Sequence, residues 1–486
     1  MINFLNWLDG MLWGIPLIAL MVVTGLYFTI RSGAFQFAHF GWIWKHTAGR
    51  LFGKNGGDIR NAGNSISPFQ AICTAVGGTV GFGNIAGVAT AVAAGGPGAI
   101  LWMWLTACLG MILKQVEVTL GVYYRSTSKD GTHVGGPTYY MAKGLGEERH
   151  WGKLWLIPGI IFSVGIFSTW FVTSSTLTAS QVVAGAFSIG SNTGIICVGI
   201  FMVVITYLVT IGGTKKIANV FSTLVPFMSL LYIVMGLLII LVNITRVPAA
   251  FASIFSNAFT GTAAMGGFAG ATVSAMIRTG MARAVYSNEA GWGTSPMIHG
   301  SAETPHPVEQ GLWGSFEVFF DTFVVCSITA LSVILSGCWT DGTNGGTLAL
   351  TSFSASLGSI GGYLLAVIMI IFTVTTSGGW ITYYFAILDH VFPNKSTKSA
   401  KIIYNFFYIT RGIPGFLWLV YLVLTNNQGF IWTIVDITSA IPTFVNVFVI
   451  LILSGQYFKL LKDYKARYMG QGKVDPNAVL FYEDKA

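Results

Sequence analysis

The chain has 486 residues, 53% of them hydrophobic and 9% charged, against about 25% charged in an ordinary soluble domain. No globular core of this length can bury so much apolar surface, so lipid must serve as part of the solvent. A net charge of +8 would suggest nucleic acid only if the basic residues shared one soluble face, and they are scattered along the chain. The five cysteines give neither a disulfide framework nor metal-ligand spacing.

An all-α polytopic membrane protein is therefore expected. The first apolar run, Met11 to Ile30, has no Lys or Arg before it and no small-residue cleavage site after it, so it reads as a retained span. Further runs lie near 66–97, 98–123, 154–188, 193–213, 217–243, 248–282, 311–337, 350–391, 402–424 and 429–456. Judged against the ~20 residues that cross a bilayer, these make about eleven spans.

Basic residues gather in alternate loops: Arg31, Lys45, Arg50, Lys54 and Arg60; Arg125, Lys129, Lys143, Arg149 and Lys153; Lys215 and Lys216; Arg278 and Arg283; Lys395, Lys398 and Lys401; and the tail from Lys459 to Arg467. The opposite loops hold Arg246 alone. The positive-inside bias places the N-terminus outside the cell membrane and the C-terminus in the cytoplasm.

Two spans are poor plain helices. Thr74 to Asn84 and Gly261 to Ala271 each set four glycines in an apolar segment, at ~1 kcal/mol of helix propensity apiece. Broken backbone at membrane depth is tolerated where protein or a cavity satisfies it, and paired breaks mark a transporter's midplane site. Five spans separate the breaks, and an odd count inverts topology. The expected organisation is thus an extra N-terminal helix and loop over 1–65, a five-helix repeat over 66–247, an inverted repeat over 248–456 and a cytoplasmic tail over 457–486. The rival is a cation channel, because Thr79-Val80-Gly81-Phe82-Gly83 differs by one aromatic from a potassium filter. A filter needs four such loops about one axis, and the sequence has one.

Three motifs carry a family likeness: Gly77-Gly-Thr-Val-Gly-Phe-Gly-Asn-Ile-Ala-Gly87, Gly135-Gly-Pro-Thr-Tyr-Tyr-Met-Ala-Lys-Gly144, and Ser287-Asn-Glu-Ala-Gly-Trp-Gly293 with Pro296. In this order they resemble the alanine or glycine:cation symporter family over nearly the whole chain. The resemblance implies a LeuT-type five-plus-five fold and inward transport of a small amino acid with sodium. The fourth span departs from the family's pattern, reading Thr173-Ser-Ser-Thr-Leu-Thr-Ala-Ser-Gln181.

A zwitterion at the midplane needs an anion seat and a cation seat. The half-helix beginning after Gly83 offers free N–H groups to a carboxylate, with Gly77, Gly78, Gly81 and the Thr79 hydroxyl beside it. Asn84 is read either as orienting a break or as a plain interhelical bond. At the second break, Met265, Gly266, Gly267 and Phe268, with Trp380 from the ninth span, are expected around the substrate side chain. Sodium wants oxygens, which Gly78, Thr373, Thr376 and Ser377 supply, the three hydroxyls at helical spacing on one face. Among buried acids, Glu117 is expected to pair with Lys114 three residues before it. Asp321 is left between coupling and structure, Glu317 and Asp436 are noted as acids inside spans, and His299 and His306 are read as loop residues on the cytoplasmic side. No catalytic set appears, so an enzyme is not expected, and neither is a protein partner.

Overall fold

The computed structural model describes residues 2–51, 65–128, 131–171, 175–260, 273–425 and 427–485. In chain order its principal helices begin with α1 (Ile2–Leu12) and α2 (Ile15–Ser32). The first broken span comprises α3 (Pro68–Thr79), a π-helical turn at Gly83–Gly87 and α4 (Val88–Gly95). Then come α5 (Ala99–Tyr123), α6 (Leu156–Trp170), α7 (Ser175–Ala186), α8 (Asn192–Thr210), α9 (Gly213–Val242) and α10 (Val247–Thr260). The second half has α11 (Val273–Asn288), the short α12 (Ser295–His299), α13 (Pro307–Val318), α14 (Ser327–Ser336) and α15 (Gly345–Val391). It closes with α16 (Lys398–Thr410), α17 (Ile413–Thr425), α18 (Gln428–Ile452) and α19 (Ser454–Met469).

Among the described residues eight helices are long and apolar enough to cross a membrane, and two bent pairs bring the count to ten. In the seventh expected run α10 and α11 flank 261–272, so Met265, Gly266, Gly267 and Phe268 lie outside the described residues.

The first broken span starts with a capping box, in which Ser67 Oγ accepts from the Gln70 N–H at 3.1 Å and Gln70 Oε1 from the Ser67 N–H at 2.9 Å. That satisfies two of the donors a helix start leaves open. The span bends by 48° between Thr79 and Gly83. Around it pack α5, α9, α11, α13 and α15, and the apolar core lies between these helices.

Long side-chain contacts order the ends of the bundle. At one end Arg278 pairs with Asp9 at 2.5 Å and Trp102 Nε1 donates to the Ala258 carbonyl at 3.1 Å. At the other, Arg125 donates to the Ala302 carbonyl at 2.8 Å, and Thr127 to Glu483 at 2.8 Å. The chain termini thus lie at opposite ends. This corrects the grouping of Arg278 and Arg283 with the basic residues at the C-terminal end of the bundle. Both belong to the half of the bundle that carries the N-terminus, and both are held by carboxylates, Arg283 by Asp436 at 2.5 Å.

Candidate functional site

The bend between α3 and the π-turn frees the last carbonyls of one helix and the first N–H groups of the next. One of these donors is taken internally: Asn84 Oδ1 accepts from the Gly81 N–H at 2.8 Å. Asn84 Nδ2 donates to Asp321 at 2.5 Å, and Ser287 Oγ to the other oxygen of Asp321 at 2.9 Å. Asn84 therefore orients the first break and, through Asp321, ties it to the end of α11.

α11 runs past the seventh expected span, which ends at 282, and stops at Asn288 in a buried turn. Glu289, Gly291 and Gly293 have φ of 54°, 85° and 81°, the left-handed region that ends a helix. The chain resumes as α12 at Ser295. The Ser287–Gly293 motif is thus an interruption inside the bundle.

Between the two interruptions lies a cavity of about 50 Å³, bounded by Gly78, Thr79, Phe82 and Gly83 on one side and Tyr286, Glu289 and Trp292 on the other. Thr376, Ser377, Trp380 and Tyr384 of α15, Ser175 of α7 and Arg411 between α16 and α17 complete its wall. Close approach explains the glycines. A Cβ on Gly78 would lie 2.5 Å from the Tyr383 hydroxyl, one on Gly81 2.4 Å from Thr376 Oγ1, and one on Gly379 2.7 Å from the Gly78 Cα. Both hydroxyls are buried and hydrogen-bond nothing in the protein, so each stands against the broken backbone with its bonding capacity unused.

The structure gathers Gly78, Thr79, Gly83, Thr376, Ser377 and Trp380 at this cavity. It does not bring Gly77 there, which faces Phe221, Val225 and Thr375, or Gly81, which stands against Thr376, or Asn84. Thr373 is spent on the Met369 and Ser175 carbonyls at 2.8 and 3.4 Å. Thr79 lines the cavity, but its hydroxyl turns to Ala75 O at 3.1 Å and Glu317 at 3.3 Å. Sequence reasoning missed Tyr286, Glu289, Trp292, Ser175 and Arg411 as wall residues. For the first three the signal was the Gly-Trp-Gly spacing after Asn288, and for Arg411 the Gly412 and Pro414 beside it.

Buried polar partners differ from expectation in two places. Lys114 does not pair with Glu117: its ammonium donates to Glu317 at 2.7 Å and to the Asn288 carbonyl at 2.5 Å, while Glu117 accepts from Asn446 at 2.5 Å. A neighbour across the helix interface outcompetes the i+3 position. His299 lies in α12, whereas His306 is in the loop before α13 as expected, and both are fully buried: His299 bonds Gln310 at 2.7 Å and His306 faces Asp463 at 3.3 Å. The Thr79–Gly83 segment is enclosed within one helical bundle against this cavity, without the shared axis a channel filter needs.

Comparison with known proteins gives a consistent picture. The model of the sodium:alanine symporter family matches residues 1–477. The sodium/alanine symporter AgcS of Methanococcus maripaludis is 34% identical over 462 residues, covering 93% of this chain and 95% of that one. The probable sodium/glutamine symporter GlnT of Bacillus subtilis is 34% identical over 477 residues, covering 98% and 92%. An uncharacterized transporter of the same organism, YflA, is 37% identical over 469 residues, covering 95% and 94%. Among solved structures, MhsT in complex with L-phenylalanine aligns with a TM-score of 0.57 at 15% identity, covering 79% of this chain and 88% of that one, which assigns the LeuT-type fold.

Proposed function

The chain belongs to the sodium:alanine symporter family, and from that premise we propose that it carries a small neutral amino acid into the cell together with sodium. It is a multi-pass membrane protein and a secondary transporter, not an enzyme. The observation that carries the finer reading is the cavity between the two helix interruptions, lined by Thr376, whose buried hydroxyl has no partner in the protein. About 50 Å³ holds roughly four water-sized groups, the scale of glycine or alanine.

The N–H groups freed at Phe82 and Gly83 seat the substrate carboxylate, where the positive end of the following half-helix favours an anion. Glu289 and the carbonyls of the second interruption face the ammonium. Sodium takes oxygens from the Gly78 region, Thr376 and Ser377. Thr373, with its hydroxyl on its own helix, holds α7 through Ser175. Trp292 and Trp380, with ring centroids 5.3 Å apart, close the side-chain end. Met265, Gly266, Gly267 and Phe268 remain proposed beside that end. The N-terminus is proposed to lie outside and the C-terminus in the cytoplasm.

The test is uptake of labelled alanine into proteoliposomes under an inward sodium gradient. Uptake should collapse when the gradient is dissipated or sodium is replaced by potassium. Ion flux without amino-acid uptake would return the channel reading.

A further inference from the structure

One buried ion pair touches both interruptions. Lys114 of α5 and Glu317 of α13 are each fully buried. The ammonium bridges the Asn288 carbonyl, at the C-terminal end of α11, and Glu317 Oε1. The same carboxylate oxygen accepts from Thr79 at the first interruption, at 3.3 Å, and from Ser295 Oγ, where the chain resumes after the second, at 3.0 Å. His299 lies 3.5 Å from the other oxygen, which no hydrogen bond occupies.

A carbonyl at a helix C-terminal end and a carboxylate are oxygen donors of the kind that hold a free monovalent cation at a broken membrane helix. Here a tethered ammonium fills that place. An uncompensated buried carboxylate would be costly, so some cation must stand there throughout the transport cycle. Lys114 is one that never leaves.

We infer that Lys114 is a built-in cation occupying a second cation seat, so that one sodium ion, at the first interruption, is left to accompany each substrate. The inference rests on the symport reading above. Charge neutrality in the Glu317 seat is then independent of sodium, and the two interruptions stay joined through one carboxylate whether or not sodium is bound.

The wild-type protein gives the first test, the ratio of sodium to alanine fluxes into proteoliposomes. A ratio of one, with one net charge moved per alanine, is expected. Sodium-driven uptake at a ratio of two or more would overturn the inference while leaving the symport reading intact, whereas uptake indifferent to sodium would overturn that reading. The second test removes the tether. Lys114→Met opens the seat to a free cation, so half-saturating sodium should rise at least tenfold and the sodium dependence should steepen from a Hill coefficient near one towards two. In the double variant Lys114→Met/Glu317→Gln the seat loses its charge, and uptake should recover with a Hill coefficient near one. Lys114→Met working with wild-type sodium dependence would overturn the inference, as would two correctly inserted variants that are both inactive. If Lys114→Met fails to insert, the flux ratio of the unaltered protein still decides.

Discussion

At the residue scale, the arrangement depends on backbone atoms being reachable. Gly78 and Gly81 leave room for the hydroxyls of Tyr383 and Thr376, which would meet an added Cβ at 2.5 and 2.4 Å. Gly78→Leu or Gly81→Leu should therefore abolish alanine uptake while the protein still inserts, as read by uptake beside surface expression; near-normal uptake would remove both from the site. Thr376 and Ser377 are argued as sodium ligands. Replacing both by Ala should raise the half-saturating sodium concentration roughly tenfold if ~1.4 kcal/mol of ion binding is lost, measured as the sodium dependence of initial uptake rates. Trp380 and Trp292 meet edge to face with an interplanar angle of 66°. Shortening either to Ala deepens the cavity, and selectivity between alanine and larger residues should shift by roughly 10- to 200-fold, measured by competition against labelled alanine. Gly78, Thr376 and Trp380 were legible because glycine in an apolar run and hydroxyls at helical spacing are local signals. Glu289 and Trp292 were not, since Asn-Glu-Ala-Gly-Trp-Gly reads equally as the loop that follows a helix.

At the element scale, the two interruptions are built differently. The first bends by 48° within otherwise continuous helix, and runs of glycine in a hydrophobic segment announce it. The second is a turn with three residues at positive φ followed by the five-residue α12. A glycine count singles out 261–271, which lie outside the described residues, and does not flag this turn, because turn chemistry needs glycine only at its left-handed positions. A third bend, of 42°, separates α16 from α17. There Arg411, 1% exposed, donates to the carbonyls of Tyr408 at 2.6 Å and Tyr207 at 3.3 Å, near the ends of α16 and α8. A cation between two helix C-termini is favourably placed. Elements are also tied by Arg283 of α11 and Asp436 of α18, whose guanidinium lies 4.7 Å from the Trp432 ring centroid. Asp436→Asn would leave Arg283 buried without its carboxylate, a change of about 3 to 5 kcal/mol for a buried pair. The detergent-solubilised variant should lose thermal stability, and a melting temperature equal to the wild type's would show the pair is dispensable.

At the scale of the whole molecule, the many-helix membrane architecture was readable from hydropathy, because each span must satisfy its backbone internally and stay apolar outside. Which buried charges pair was not, since partners such as Lys114 and Glu317 lie 203 positions apart. The end of the bundle opposite the N-terminus shows what sequence alone conceals. There the tail folds back: Tyr482 donates to Glu147 at 2.5 Å, and Arg125 stacks over Phe481 at 4.3 Å while holding the Ala302 carbonyl. Before it, α19 is fastened to the start of α13 by Asp463, which faces His306 at 3.3 Å and accepts from Arg467 at 2.6 Å. His306 Nδ1 in turn accepts from the Val308 N–H at 3.1 Å, so the imidazole serves as a helix cap in its neutral form. Burial pushes its pKa down to about 4, against the opposing pull of Asp463. An unfolded histidine takes up its proton near pH 6.5. Between these values the unfolded chain binds the proton and the folded chain does not, so this group's stabilisation is complete above pH ~6.5 and declines as pH falls towards 4, by at most ~1.4 kcal/mol per pH unit. His306→Gln keeps a cap acceptor and cannot titrate. Thermal unfolding of both proteins from pH 7.5 to 4.5 should show the wild type losing more stability than the variant on acidification, and parallel curves would mean that His306 does not stay neutral in the fold.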